Sequence, residues 1–497
     1  MKYLQDKQYT ICLIISIFLI TISSCAQEKG NGQNYVNSNP ESQQMSSEQL
    51  IKLLETIRQE KCNIHSLLIS RNDTVVLDAY FYPYQKSFVH DLASVTKSIT
   101  SLLIGIAIDK GFIPDENQKI MEYFPEYKVS DERFNSILIK DLLNMSSGLN
   151  CSWNDGEKEL YQMMKSDDWV NYMYNLSFAS EPGKVFSYCS GNYYLLSEII
   201  QRTTKMSCHE FAKKYLFKPM AIEESYWLEN KKGVNQAWGD LCLSPSDLLK
   251  IGSLIIHNGK WEGKQIVSEN WISKLTPQYS IDEEEKYGLG WWFENEQPDM
   301  IEAIGRGGQR LVIYKKLKLV IVIIAGGGFD AGDVDNYVLE SISKYKKDND
   351  RSEELKILVN RLSHAAYSTS DSNDLIKYRK IDNNEYNFDK NDFELISCGF
   401  RLKDQIPYII LNLTDGSREE QAIGLNGQFA YGKERVIQLP IAVKGQWINE
   451  NTLKVEYNEL CRINRYFFTF TFEKDKIRMR IEEDNEDDII LLGIKDK

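Results

Sequence analysis

The 497-residue chain contains no Cys-x-x-Cys, no His-Glu-x-x-His and no Gly-x-Ser-x-Gly. The first absence excludes a zinc ribbon or a thioredoxin-type redox pair. The second excludes the zinc-protease helix, and the third excludes the strand-to-helix elbow of the α/β-hydrolases. Histidine is scarce: His65, His90, His209, His257 and His364 are scattered and read as core or surface residues, with no metal site implied. Positive charge is in deficit, with 59 Lys and Arg against 72 Asp and Glu and a formal charge of −13. That balance argues against nucleic-acid binding, which relies on clustered cations. Gly326-Gly327-Gly328 lacks a following Lys-Ser/Thr, so it reads as a turn at a strand end and not a phosphate loop.

Aromatic residues, by contrast, are plentiful. Nine Trp, 28 Tyr and 20 Phe supply enough apolar surface to exclude general disorder. The apolar run at residues 11–22 falls short of the ~20 residues a membrane span needs, and Lys2 and Lys7 precede it. Residues 1–24 therefore read as a secretory signal peptide. Ile22-Ser23-Ser24-Cys25 resembles a bacterial lipobox, so Cys25 is expected to carry lipid and to hold the protein on a membrane, facing the periplasm or the cell exterior. Polar residues 25–45 then form a tether. Of the other cysteines, Cys12 leaves with the leader. Cys62, Cys151, Cys189, Cys208, Cys242, Cys398 and Cys461 are expected to be mostly buried free thiols.

Periodicity organises the rest. Leu50, Leu53, Leu54 and Ile57 have helical spacing within 47–60. Residues 66–70 and 74–80 read as strands joined at Arg71-Asn72-Asp73. Residues 95–110 read as an apolar helix closed by Gly111. The stretch 112–235 mixes short helical patterns with loops. Residues 310–314 and 319–325 read as paired strands, and 334–346 as a helix. This order implies an α/β (α+β) architecture: an antiparallel sheet flanked by its two terminal helices, with a mostly helical insert, over residues 46–346. Charged residues 347–385 read as a linker with a short helical pattern near 355–366. Aromatic β-type runs then make residues 386–497 a small all-β unit. The acidic run at 482–488 reads as a solvated hairpin turn, not a cation site.

Chemistry begins at Ser94-Val95-Thr96-Lys97. Three residues apart on a helix, the amine reaches the hydroxyl and can take its proton. Ser341 to Lys344 and Ser343 to Lys346 repeat the spacing in a charged stretch, where a surface helix explains them. Ser94 differs because it opens an apolar helix whose first N–H groups lack partners. Tyr188-Cys189-Ser190 lies on a loop before another apolar helix. Arg306-Gly307-Gly308-Gln309 precedes a strand and permits close approach of a ligand to backbone. Trp238, Trp291 and Trp292 are candidates for either the cleft wall or the core.

In this order the three segments resemble the motifs of the serine β-lactamase and penicillin-binding-protein superfamily, in the branch of class C β-lactamases, family VIII esterases, D-aminopeptidases and 6-aminohexanoate-dimer hydrolases. Supporting likenesses are Ile139-Lys-Asp-Leu-Leu-Asn-Met-Ser-Ser-Gly-Leu149, Leu243-Ser-Pro-Ser-Asp-Leu-Leu-Lys-Ile-Gly252 and Tyr287-Gly-Leu-Gly-Trp-Trp292, and the resemblance spans about residues 45–346. It implies Ser94 as acylated nucleophile, Lys97 and Tyr188 as the groups that move its proton, and Ser190 and Arg306-Gly307-Gly308-Gln309 as the substrate side. The Ser94 and Gln309 N–H groups would form the oxyanion hole. No cofactor is implied. Two departures matter: Ser190 stands where β-lactamases of this type carry Asn, and Arg306-Gly307-Gly308 replaces Lys-Thr-Gly. A small ester, amide or D-amino-acid peptide is therefore expected as substrate ahead of β-lactamase or DD-carboxypeptidase activity. A non-catalytic peptide-binding lipoprotein of the envelope is the reading from another class. Residues 386–497 resemble the lipocalin-like β domain appended to some such hydrolases.

Overall fold

The structure is a computed structural model that describes residues 36–497 except 130, 153–155, 277–285, 295, 296, 298, 328, 330, 366–371, 426, 435–437, 484–487 and 497. The leader, Cys25, Gly328 and most of the acidic run lie outside the described residues. Among the described residues no helix is long and apolar enough to cross a membrane.

An eight-stranded sheet runs in the order β1-β3-β2-β8-β7-β6-β5-β4. Its strands are β1 (Val36–Asn37), β2 (Ile64–Arg71), β3 (Thr74–Tyr80), β4 (Tyr287–Gly288), β5 (Trp291–Phe293), β6 (Met300–Gly305), β7 (Gln309–Tyr314) and β8 (Leu319–Ala325). All neighbours are antiparallel except the short β1–β3 pair. Every residue of β8 is buried, as a strand covered on both faces must be. Leu319, Ile321 and Ile323 face one core, and Val320, Val322 and Ile324 face the other.

The first core is built from α1 (Ser47–Gln59), α5 (Ala331–Ser343) and α6 (Ser352–Leu362). Leu50, Leu53, Leu54 and Ile57 of α1 are its buried stripe, each stabilising the fold by about 2 kcal/mol. Helix α5 starts three residues earlier than the apolar pattern suggests. Within the segment read as a linker, α6 buries Leu355 and Leu358 in this core. The second core holds α2 (Val95–Asp109), α3 (Gly191–Thr204), α4 (Pro245–Ile256) and the insert between them. Gly111 follows α2 at φ 73°, the left-handed position that ends a helix.

The C-terminal part is a barrel-like sheet of ten strands, each paired antiparallel with its neighbours. The strands are β9 (Glu385–Phe388), β10 (Leu395–Lys403), β11 (Ile406–Leu413), β12 (Arg418–Ala422), β13 (Ala430–Lys433), β14 (Pro440–Trp447), β15 (Thr452–Glu459), β16 (Arg465–Phe472), β17 (Lys476–Glu483) and β18 (Ile489–Lys495). Alternation decides its inside: Ile477, Met479 and Ile481 of β17 point inward, while Lys476, Arg478 and Arg480 are exposed. Phe400, Trp447, Phe468 and Phe470 fill the interior. The barrel meets the rest of the chain through mixed contacts. Phe429 N–H donates to Tyr82 Oη (2.6 Å), Tyr431 Oη donates to Pro83 C=O (3.1 Å), and Val89, Cys242, Leu439 and Cys461 pack together.

Among the cysteines, Cys151 and Cys189 form a disulfide, a pair not legible in the wide spacing. Cys208, Cys242, Cys398 and Cys461 are buried free thiols, and Cys62 is a partly buried one.

Candidate active site

Ser94 sits at the N-cap of α2 with helical backbone angles, directly after Ala93 at φ 45°. A left-handed alanine costs about 1 kcal/mol and turns the chain sharply into the helix. The turn is held because Ala93 N–H donates to Asp91 Oδ1 (2.8 Å) and Leu92 N–H donates to Leu241 C=O (2.9 Å). Helix α2 is buried along almost its whole length, so its first turn has a rigid base.

One turn on, Lys97 is 1% exposed. Its Nζ lies 2.9 Å from Ser94 Oγ and donates to Trp238 C=O at 2.8 Å. The same Nζ stands 4.8 Å from the centre of the Tyr188 ring. The two other S-x-x-K segments are different. Ser341 Oγ donates to Val338 C=O, and Lys344 is half exposed and paired with Glu340.

Tyr188 leads into α3, and its ring stacks on Trp292 (14° between planes, 6.2 Å) with Tyr287 edge-on. Trp292 therefore backs the Tyr188 ring, while its neighbour Trp291 is fully buried core. Trp238 serves both purposes, lining the cleft and giving its carbonyl to Lys97. Ser190 is buried, and its hydroxyl donates to Glu157 Oε1. The Cys151–Cys189 bridge ties this loop to the segment that carries Glu157.

Arg306, Gly307 and Gly308 form the turn between β6 and β7. Gly307 (φ 78°) and Gly308 (φ 87°) occupy left-handed backbone that side chains avoid. Gly305 allows the turn to abut the segment that leads into Ser94, since a Cβ there would lie 2.6 Å from Leu92 C=O. Gln309 is buried, and its side chain stitches the turn to β8 by donating to Arg306 C=O (3.1 Å) and accepting from Ala325 N–H (3.0 Å). Arg306 itself is exposed and donates through Nη1 to Asn464 Oδ1 (2.8 Å) on the barrel.

These elements enclose a cavity of about 320 Å³ lined by Ser94, Glu157, Ser190, Trp238, Asp240 and Arg306, among others. A hydroxyl beside a buried amine, with a phenol ring over that amine and a guanidinium at the rim, is equipped for nucleophilic attack with proton transfer. Three acids in its walls carried no sequence signal. Besides Glu157, Asp91 is held up to about 6 by burial and then by the charge of Asp240, against the pull of Arg462 and Arg306. Burial likewise raises Asp240, with Arg462 and Arg306 opposing. His65 and His90 form a buried hydrogen-bonded pair (2.9 Å) beside this wall, and burial lowers both. Among the described residues no group of three His, Cys, Asp or Glu stands together as a metal ligand set.

The family model described as Beta-lactamase matches residues 58–341, which include all three motif segments. The 6-aminohexanoate-dimer hydrolase of Paenarthrobacter ureafaciens is 25% identical over 291 residues, covering 54% of this chain and 74% of that protein. The solved structure of a Bacillus anthracis protein, provisionally described as a 6-aminohexanoate-dimer hydrolase, superposes with a TM-score of 0.51 at 22% identity, over 58% of this chain and 80% of the other. A family VIII carboxylesterase superposes with a TM-score of 0.50 at 14% identity, over 63% of this chain and 99% of its own.

Proposed function

The chain belongs to the β-lactamase family, whose model spans more than half its length, and it is a serine hydrolase; from that premise we propose that it cleaves a small ester, amide or D-amino-acid peptide through an acyl-enzyme at Ser94. The observation that carries this reading is the placement of Lys97 Nζ, buried and 2.9 Å from Ser94 Oγ. As Ser94 Oγ attacks the carbonyl carbon, its proton passes to Lys97. Tyr188, beside the same amine, relays a proton to the departing alkoxide or amine. The Ser94 and Gln309 N–H groups hold the oxyanion. Water, giving up a proton to the same Lys97–Tyr188 pair, then attacks the acyl carbonyl. The C–O bond to Ser94 breaks, Ser94 Oγ takes that proton back and the acid product leaves.

One detail supports esters and unstrained amides over β-lactams: the Ser190 hydroxyl is already engaged by Glu157. The name of the Paenarthrobacter ureafaciens relative, a hydrolase of a 6-aminohexanoate dimer, fits the same ranking. We further place the protein in the cell envelope, exported and lipid-anchored at Cys25, on the strength of the leader alone.

A fluorophosphonate probe should label the wild type on the peptide containing Ser94, as read by mass spectrometry, and Ser94→Ala should stay unlabelled. A folded wild type that takes no label, and releases no nitrophenol from p-nitrophenyl esters, would remove the acyl-enzyme reading. Loss of metabolic labelling by an alkynyl fatty acid in Cys25→Ala tests the anchor.

A further inference from the structure

The turn between β15 and β16 places four consecutive barrel residues against three parts of the cleft. Cys461 C=O accepts from Asp91 N–H at 2.8 Å. Arg462 Nη1 lies 3.6 Å from Asp240 Oδ1. Ile463 packs so close to Gly307 that a Cβ there would lie 2.3 Å from Ile463 Cγ2. Asn464 Oδ1 accepts from Arg306 Nη1 at 2.8 Å, while Asn464 Nδ2 donates to Glu483 Oε1. Because Glu483 can only accept, it dictates which end of the Asn464 amide faces Arg306.

An exposed arginine on a two-glycine turn would otherwise sample many rotamers, a freedom it would have to give up on binding. Asn464 engages one nitrogen of the guanidinium fork, which leaves other N–H groups to donate. Asp240 lines the same cavity and is the natural competitor for that guanidinium. Arg462 gives Asp240 a different partner.

We propose that residues 461–464 brace the lining of the hydrolase cleft from behind, so that Asn464 aims Arg306 at a carboxylate of the substrate and Arg462 keeps Asp240 from capturing that guanidinium. Asn464 and Arg462 are thus positioning residues that act through Arg306. The substrate class this selects is an ester or amide carrying a free carboxylate. The proposal rests on the acyl-enzyme reading at Ser94.

The test compares p-nitrophenyl acetate with mono-p-nitrophenyl glutarate, which carries the carboxylate, on the full chain. Asn464→Ala should raise KM for the glutarate ester about fivefold while leaving its kcat and the acetate kinetics unchanged. Arg462→Met should act in the same direction, and Arg462→Lys should restore wild-type discrimination. A structural defect would depress both esters together and would not be rescued by Lys. If Asn464→Ala and wild type discriminate equally, or if wild type shows no preference at all, the proposal is overturned while the Ser94 reading stands. If wild type and Ser94→Ala hydrolyse the acetate ester at the same rate, the Ser94 reading fails and takes the proposal with it.

Discussion

At the scale of single residues, the site combines groups that water would favour with surroundings that exclude it. Asp91 shows the energetic consequence. Its carboxyl titrates near 6 because burial and Asp240 disfavour the charge. The unfolded value is about 3.9, so the native state binds more protons than the unfolded state between roughly pH 4 and 6. Stability from this group therefore falls as pH rises through that window, and the penalty is complete above it. Asp91→Asn keeps the acceptor for Ala93 N–H and removes the charge. It should raise the thermal midpoint at pH 7.5 and give little gain at pH 4, as measured by scanning calorimetry. An equal gain at both pH values would contradict this account of Asp91. Ser94 and Lys97 were legible from spacing because a helix forces residues three apart onto one face. Asp91, Glu157 and Asp240 were not, since their places depend on chain segments that meet only in the fold.

At the scale of elements, the Gly307 turn couples the sheet to the barrel. Gly307→Ala forces a left-handed alanine, costing about 1–2 kcal/mol, and drives its methyl into Ile463. Ile463→Ala alone should cost about 2–4 kcal/mol, because the side chain is buried. Together the two changes should cost about 1 kcal/mol less than their sum, since the second removes the clash created by the first. Urea unfolding of the three variants measures the coupling, and strict additivity would show that the turn and hairpin do not press on each other. Strands and helices with clean periodicity were legible: 74–80 and 319–325 are strands, and α1 buries the stripe its leucines mark. Helix α6 shows where such reading stops. Its charged sequence suggests a connector with a short helical pattern; that Leu355 and Leu358 pin that helix onto the sheet depends on α1 as a neighbour.

At the scale of the whole molecule, distant segments are held in register around the cleft. The Cys151–Cys189 bridge closes a loop of sequence separation 38, worth about 4 kcal/mol by loop entropy. Replacing both cysteines with serine should lower stability by about that amount and reduce kcat, because the bridge anchors the residues flanking Tyr188 and Ser190. The wild type should lose the same stability in dithiothreitol, and the double variant should be indifferent to it. Calorimetry with and without reductant decides the matter. An indifferent wild type would mean the bridge contributes nothing.

By itself the sequence determined the elements of clean periodicity, the all-β character of residues 386–497 and the order of the three motifs. These are consequences of short-range periodicity and of residue spacing within one element. Only the tertiary structure decided that residues 461–464 face Arg306 and Asp240, that Glu157 holds Ser190, and that Cys151 pairs with Cys189. Each joins groups far apart in the chain, and their meeting depends on how the sheet, the insert and the barrel pack. Side-chain chemistry is written locally, but the charge balance and enclosure that give it a task come from burial among distant neighbours.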